Sequence, residues 1–211
     1  MKATTFIAAV MLVVSSTAWA DVGMITQMSG QVSIASGASG ASGASGGSTQ
    51  AAVPFIKVAT GDKLTLANGA RVQMVYFGNG RQEVWSGSGQ VEVGSLDSKS
   101  TLKPEVKQLP PLVVNQLAKT PAAGQQGKTG MVRVRSLGNP DAGAHLDKQY
   151  KELKAGAAAD DTTPEVFLLS GLIEIKEFTR AKELLGELGG KAAYKPVVDH
   201  FSPIVAAGTP K

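Results

Sequence analysis

GDKLTLANGARVQMVYFGNGRQEVWSGSGQ, residues 61–90, is the stretch that decides the fold class. Leu64 and Leu66 alternate with Lys63 and Thr65. Val72, Met74 and Tyr76 then point one way, and Arg71, Gln73 and Val75 the other. A period of two belongs to a strand, whose successive side chains leave on opposite faces. The runs are separated by ANGA (67–70), GNG (78–80) and SGSG (86–89). Asn68-Gly69 is the pair that favours a type I′ hairpin, so the stretch predicts a β-meander with glycines at its corners. Short strands at intervals of roughly 8–12 residues imply an antiparallel sandwich, roll or barrel.

On the N-terminal side, Val22, Met24 and Ile25 lead into SGQVSIAS (29–36), where Val32 and Ile34 alternate with Gln31 and Ser33. SGASGASGASGG (36–47) follows. Its three-residue repeat lacks proline, which excludes collagen, and it reads as part of a disordered Gly/Ser/Ala loop over 36–50. VPFIKV (53–58) begins beside Pro54, as an edge strand or strand start does. Gln90–Val93 closes the run, so the β domain is placed at 21–98.

The character changes at 99–139. LKPEVKQLPPLVV (102–114) and KTPAAGQQGKTG (119–130) mark a Pro/Gly-rich connector, with a short strand or helical turn at Leu112–Lys119. MVRVRSL (131–137) alternates again and is expected to return to the sheet. Arg133 and Arg135 on one side of it read as surface solubility.

From 140 the period is helical. Leu146, Tyr150 and Leu153 share a face; Thr163 is a natural N-cap before Pro164. Leu168, Leu169, Leu172, Ile173 and Ile175 form an apolar face up to a break at Lys176-Glu177. Phe178, Ala181, Leu185 and Leu188 continue it to a stop at Gly189-Gly190. A last short helix in AAYKPVVDHF (192–201) is expected to be interrupted at Pro196. The helical domain is placed at 140–203 and a flexible tail at 204–211. The chain is therefore α+β: an antiparallel β-roll or sandwich followed by a small α-helical hairpin domain.

The first 20 residues read separately. Met1-Lys2 supplies a positive start, Thr4–Val14 is apolar, and Ala18 and Ala20 are small residues at the −3 and −1 positions. This is the pattern of a signal peptide cleaved after Ala20. Its apolar run is shorter than the roughly 20 residues of a spanning helix. The expected location is the periplasm, with no integral membrane segment after cleavage. With no cysteine, disulfides and thiolate chemistry are excluded. The 21 Lys and Arg against 17 Asp and Glu are well mixed, which leaves no electrostatic footprint for nucleic acid.

Two resemblances emerge. SGQVSI, a variable insertion, and then VATGDKLTLANGARVQMVYFGNGRQEVWSGSGQVEV resemble a FecR-like periplasmic domain over about 22–94. Gly30 and Val32, Gly61 and Asp62, and Asn68-Gly69 occupy that family's strand openings and turns. The resemblance implies a free periplasmic version of a ligand- or partner-binding module, because well-known members are membrane-bound signal transducers with a cytoplasmic segment. PEVFLLSGLIEIKEFTRAKELLGEL resembles one tetratricopeptide-type helical hairpin over about 164–188, with Leu168, Leu172, Phe178, Ala181, Leu185 and Leu188 at its packing positions. A single unit implies a helical appendage rather than an array.

The search for converging chemistry yields little. His145 reads as an exposed helix residue. Asp199-His200 are adjacent and therefore do not face one another on a helix. Asp160-Asp161 suit a helix N-terminus, and GNG and SGSG lack the strand–loop–helix setting of a phosphate cradle. No catalytic, cofactor or metal residues are assigned. The candidate binding surface is Tyr76, Arg81, Glu83 and Trp85, with Trp85 the only tryptophan after processing. The expected function is a non-enzymatic periplasmic binding or scaffold protein of the cell envelope, accessory to signalling or complex assembly. Its expected partner is an envelope protein. The alternative is a module for cell-wall glycan or another small ligand stacked on Tyr76 and Trp85.

Overall fold

Three glycines set the architecture. A computed structural model describes residues 21–37, 49–124 and 141–208. Its strands are β1 (Gly23–Ser29), β2 (Val32–Ala35), β3 (Thr49–Ala51), β4 (Lys57–Val58), β5 (Lys63–Leu66), β6 (Arg71–Tyr76), β7 (Arg81–Ser86), β8 (Gly89–Val93), β9 (Ser98–Ser100) and β10 (Glu105–Gln108). They form two five-stranded antiparallel sheets: sheet A, in the order β10-β7-β6-β1-β4, and sheet B, in the order β3-β2-β5-β8-β9. The chain changes sheets six times, three of them from β1 to β2, from β5 to β6 and from β7 to β8. At those corners Gly30, Gly69 and Gly87 have φ of 74°, 74° and 103°. The corners meet at one end of the sandwich. Ala67 N donates to Gln31 O, and Gly87 N to Ala70 O. A Cβ on Gly30 would stand 2.9 Å from Ala70 Cα, so this corner requires glycine for space as well as for φ.

This corrects the meander and the type I′ hairpin. Asn68 is not among the residues with positive φ; only Gly69 is. A type I′ turn needs positive φ at both central positions. The Ala70 N to Ala67 O bond instead closes a turn that carries the chain from sheet B to sheet A.

Between the sheets lies one core, with Ile25, Leu64, Val72, Met74, Trp85 and Val91 among its buried residues. The other face of sheet A is covered by helices: α1 (Pro111–Lys119), α2 (Ala142–Ala155), α3 (Thr163–Glu174), α4 (Phe178–Leu188) and α5 (Lys195–Gly208), the last led in by a 3-10 turn, Ala192–Tyr194. Met24, Val75 and Phe55 share a second core with Leu117, Phe167, Leu169, Leu172 and Phe201. The layers are thus sheet B, sheet A, helices. The chain is α+β, with the helices C-terminal to the strands.

Leu112–Lys119, left open between strand and helical turn, lies within α1. Proline opens it at Pro111, where the missing N–H has no intrahelical acceptor to lose. α3 and α4 break at Lys176, whose φ is 65°. The helix expected to stop at Pro196, with a tail from 204, instead runs as α5 through Pro203 to Gly208. Pro196 falls in its first turn, where proline is tolerated. Phe201 and Val205 are buried beyond it, and that burial offsets the backbone bond lost at Pro203.

The signal peptide (1–20) and the returning strand (131–137) lie outside the described residues. So does most of the 36–50 loop, of which Thr49 and Gln50 begin β3. Among the described residues no helix is long and apolar enough to cross a membrane.

Candidate functional site

The four residues of the expected binding surface are brought together, but inside the sandwich. In β6 and β7 the register pairs Val72 with Trp85 and Met74 with Glu83, so Trp85 and Glu83 point toward sheet B. Glu83 is completely buried. Its Oε1 accepts from Arg81 Nε at 2.6 Å and its Oε2 from Trp85 Nε1 at 3.1 Å. Ser98 N, on β9, donates to Oε1 at 3.4 Å. A buried carboxylate is tolerated only when paired and hydrogen-bonded in this way. Tyr76 shares a 2.6 Å hydrogen bond with Ser98 Oγ. Burial raises the Tyr76 phenol above its usual range, and its bond to Ser98 only partly opposes this. Tyr76 and Trp85 therefore have no open ring face for a sugar to stack on. Arg81 alone of the four reaches solvent. The cluster locks β7 to β9 at one margin of the sandwich.

That margin carries the first candidate site. Among the described residues β10 is one of the two edge strands of sheet A, the other being β4, and all four residues of β10 are exposed. It pairs with β7, Val106 lying opposite Glu83 and Gln108 opposite Arg81. Val106 consequently sits on the inter-sheet face at the open margin, 49% exposed. Lys107 is on the helical face, where its Nζ donates to Gly156 O at 2.9 Å.

The second candidate lies at the seam between sheet A and the helical layer. A β-bulge at Thr26 shifts the register between Ile25 and Gln27, and bulges re-aim side chains. Gln27 bonds to the segment before α3, and Thr26 to its neighbour strand β6. Gln27 Nε2 donates to Asp160 O at 2.8 Å, and Thr26 Oγ1 accepts from Gln73 Nε2 at 3.1 Å. The same Gln73 Nε2 lies 3.1 Å from Asp161 Oδ1 and 2.9 Å from Thr163 Oγ1, so these two oxygens and Thr26 Oγ1 share its two N–H groups. Asp161 Oδ1 accepts from Thr163 N at 3.0 Å, tying down the entry to α3. Arg71 pairs with Asp160 at the rim. These contacts fasten the 160–163 segment to β6 and β1 around a cavity of about 310 Å³. Thr162 lines it, and its buried Oγ1 has no hydrogen-bond partner among the described residues. An unmade buried hydroxyl costs about 1–3 kcal/mol.

Sequence reasoning placed Gln73 on its strand face but gave it no role. The legible signal was a glutamine inside VQMVY, because an amide on a buried face must find partners. The Thr162 hydroxyl, without a partner among the described residues, depends on packing and left no such trace.

The remaining chemistry is dispersed. His145 is exposed on α2. Asp199 is exposed and pairs with Lys195 at 2.6 Å, whereas His200 is buried and stacks on Phe55 with ring centroids 4.3 Å apart. Desolvation lowers the His200 pKa to about 4, opposed by a hydrogen bond to the Pro121 backbone. Glu165, buried on α3, accepts from Tyr150 and Lys154 of α2. Among the described residues no group of three or more His, Asp or Glu is arranged to hold a metal ion.

Comparison of the chain with protein-family models, curated proteins and solved structures finds no match.

Proposed function

We propose that this chain is a non-enzymatic recognition and scaffold protein of the cell envelope. It is exported to the periplasm by its leader and takes an extended segment of an envelope protein along β10. The exposure of β10 carries this reading. Among the described residues it is the longest of the four edge strands, with four residues against two in β4 and three each in β3 and β9. An exposed edge accepts a further strand through backbone hydrogen bonds, while side-chain positions set specificity. Val106 supplies an apolar anchor, and Glu105 and Lys107 supply one charge of each sign. The buried Glu83 cluster keeps β7 rigid behind it, which lowers the ordering cost of binding. The resemblance of 22–94 to FecR-like domains, and of 164–188 to a tetratricopeptide hairpin, agrees with a recognition role in signalling or complex assembly.

The test is site-specific photocrosslinking in the periplasm. A crosslinker at Val106 is expected to trap a discrete envelope partner. The same group at Thr65, on the solvent face of sheet B, is expected to trap none. Equal capture at both positions, or none at Val106, would sink the reading.

A further inference from the structure

The chain carries two Asn-Gly pairs, Asn68-Gly69 and Asn79-Gly80, and the fold treats them in opposite ways. Asparagine before glycine is well suited to spontaneous ring closure. The glycine backbone nitrogen attacks the asparagine side-chain carbonyl carbon, and glycine has no Cβ to hinder the approach. The reaction needs a side chain free to rotate onto that nitrogen and an N–H that is not held elsewhere.

At Asn79-Gly80 both conditions fail. Asn79 Nδ2 donates to Leu96 O at 2.8 Å, and Asn79 Oδ1 accepts from Arg81 N at 3.0 Å. Gly80 is buried, and its N donates to Tyr76 O at 3.0 Å. At Asn68-Gly69 both conditions are met. The two residues are exposed. Among the described residues neither the Asn68 side chain nor Gly69 N makes a hydrogen bond. A Cβ placed on Gly69 would have no atom within 4 Å, so the turn has room to flex.

We propose that Asn68 is a site of spontaneous deamidation, and that its isoaspartate product loosens the corner between β5 and β6. Gly69 N bonds to Asn68 Cγ, and the Cγ–Nδ2 bond breaks. The side-chain nitrogen leaves as ammonia, taking the proton from Gly69 N. Water then opens the succinimide ring. Attack at Cγ restores the original main chain and leaves aspartate. Attack at the Asn68 main-chain carbonyl carbon leaves isoaspartate, whose main chain runs through Cβ and Cγ. Either route consumes a water, releases an ammonia and adds a carboxylate. Isoaspartate also lengthens the main chain by a carbon, inside the turn that Ala70 N closes onto Ala67 O at 3.0 Å. Ala67 N donates to Gln31 O and Gly87 N to Ala70 O, each at 3.0 Å. The added length is therefore felt at the Gly30 and Gly87 corners too.

The experiment compares the folded protein with its tryptic digest, both held in warm, mildly alkaline buffer. Cleavage after Lys63, Arg71 and Arg81 puts the two asparagines on separate peptides. Mass spectrometry with electron-transfer fragmentation then separates isoaspartate from aspartate. Each asparagine is scored against its own rate in the digest. Asn79 is expected to be slowed by folding at least about tenfold more than Asn68, because its reaction must first break the bonds to Leu96, Arg81 and Tyr76. In the converted protein the Ala67, Ala70 and Gly87 amides are expected to exchange faster. Asn68→Ser protein held alike is expected to keep their original rates. The proposal is overturned if Asn79 is slowed no more than Asn68, or if Asn68 stays intact in the folded protein while its peptide converts. It is also overturned if isoaspartate at 68 leaves those three amides unchanged, or if Asn68→Ser shows the same acceleration. None of these outcomes depends on crosslinking at Val106.

Discussion

Sheet B and sheet A each hold five antiparallel strands among the described residues, yet they obey different rules. In β5 of sheet B, Leu64 and Leu66 are buried while Lys63 and Thr65 face solvent. This is the one-sided burial usual for antiparallel sheets. In β6 of sheet A, every residue after Arg71 is buried. Val72, Met74 and Tyr76 face sheet B, and Gln73 and Val75 face the helices. A sheet covered on both sides needs a second layer to receive its outer face. It also forces each polar side chain on that face to find a partner. Gln73 has three acceptors around its two N–H groups, and two of them, Asp161 and Thr163, tie the entry of α3 to the sheet. The polar seam follows from placing an amide inside a two-sided sheet.

Four measurements can break or sharpen this contrast. The largest effect is expected at the shared core. Trp85→Ala removes the largest fully buried side chain and also strips Glu83 of a donor. It should cost about 3–5 kcal/mol in denaturant unfolding. A loss below about 1 kcal/mol would mean that the sandwich core is not continuous there.

Acidification should load the helical face of sheet A rather than the sandwich. The folded protein holds His200 neutral, with its pKa lowered from 6.5 to about 4, so the unfolded chain takes up the proton first. Its contribution is complete above pH 6.5 and is lost as pH falls toward 4, amounting to on the order of 3 kcal/mol. Unfolding curves at neutral and acidic pH should therefore show a shallower pH dependence in His200→Phe than in wild type. Equal slopes would remove the histidine from the account.

The seam itself is probed by Gln73→Ala. Its expected cost is about 1–3 kcal/mol, since the substitution removes both amide N–H donors from a buried polar cluster. Faster amide exchange at 158–163 should accompany the loss. Exchange that speeds equally throughout the chain would instead show that the segment has no local dependence on Gln73. On sheet B, Thr65→Ala at the matching outward position should stay within about 0.5 kcal/mol of wild type. A larger cost would imply that the solvent face of sheet B is covered.

Legibility in the sequence followed the same contrast. Alternation through Lys63–Leu66 and Arg71–Tyr76 was readable because each strand's local period shows its two faces. The α3–α4 pair was readable from its 3.6-residue spacing, and its break from Lys176-Glu177. The pairing of strands was not readable. Asn68-Gly69 declares a turn, but whether that turn folds a strand back on itself or hands it to another sheet depends on partners distant in the chain. The candidate surface at Tyr76, Arg81, Glu83 and Trp85 was a true neighbourhood, since strand alternation and a hairpin bring those residues close. Whether it faced outward could not be read, because β9 and Ser98 cover it from another sheet.

The sequence by itself determined the antiparallel strands, the helical C-terminal half and the absence of cysteine chemistry, because these rest on composition and on periods only a few residues long. Among the described residues, tertiary structure alone decided that sheet A is covered on both faces, that the Thr162 hydroxyl is enclosed without a partner, and that β10 is left at the margin. Each of those is fixed by which surfaces meet, and surfaces far apart in the chain meet through packing that no local pattern encodes.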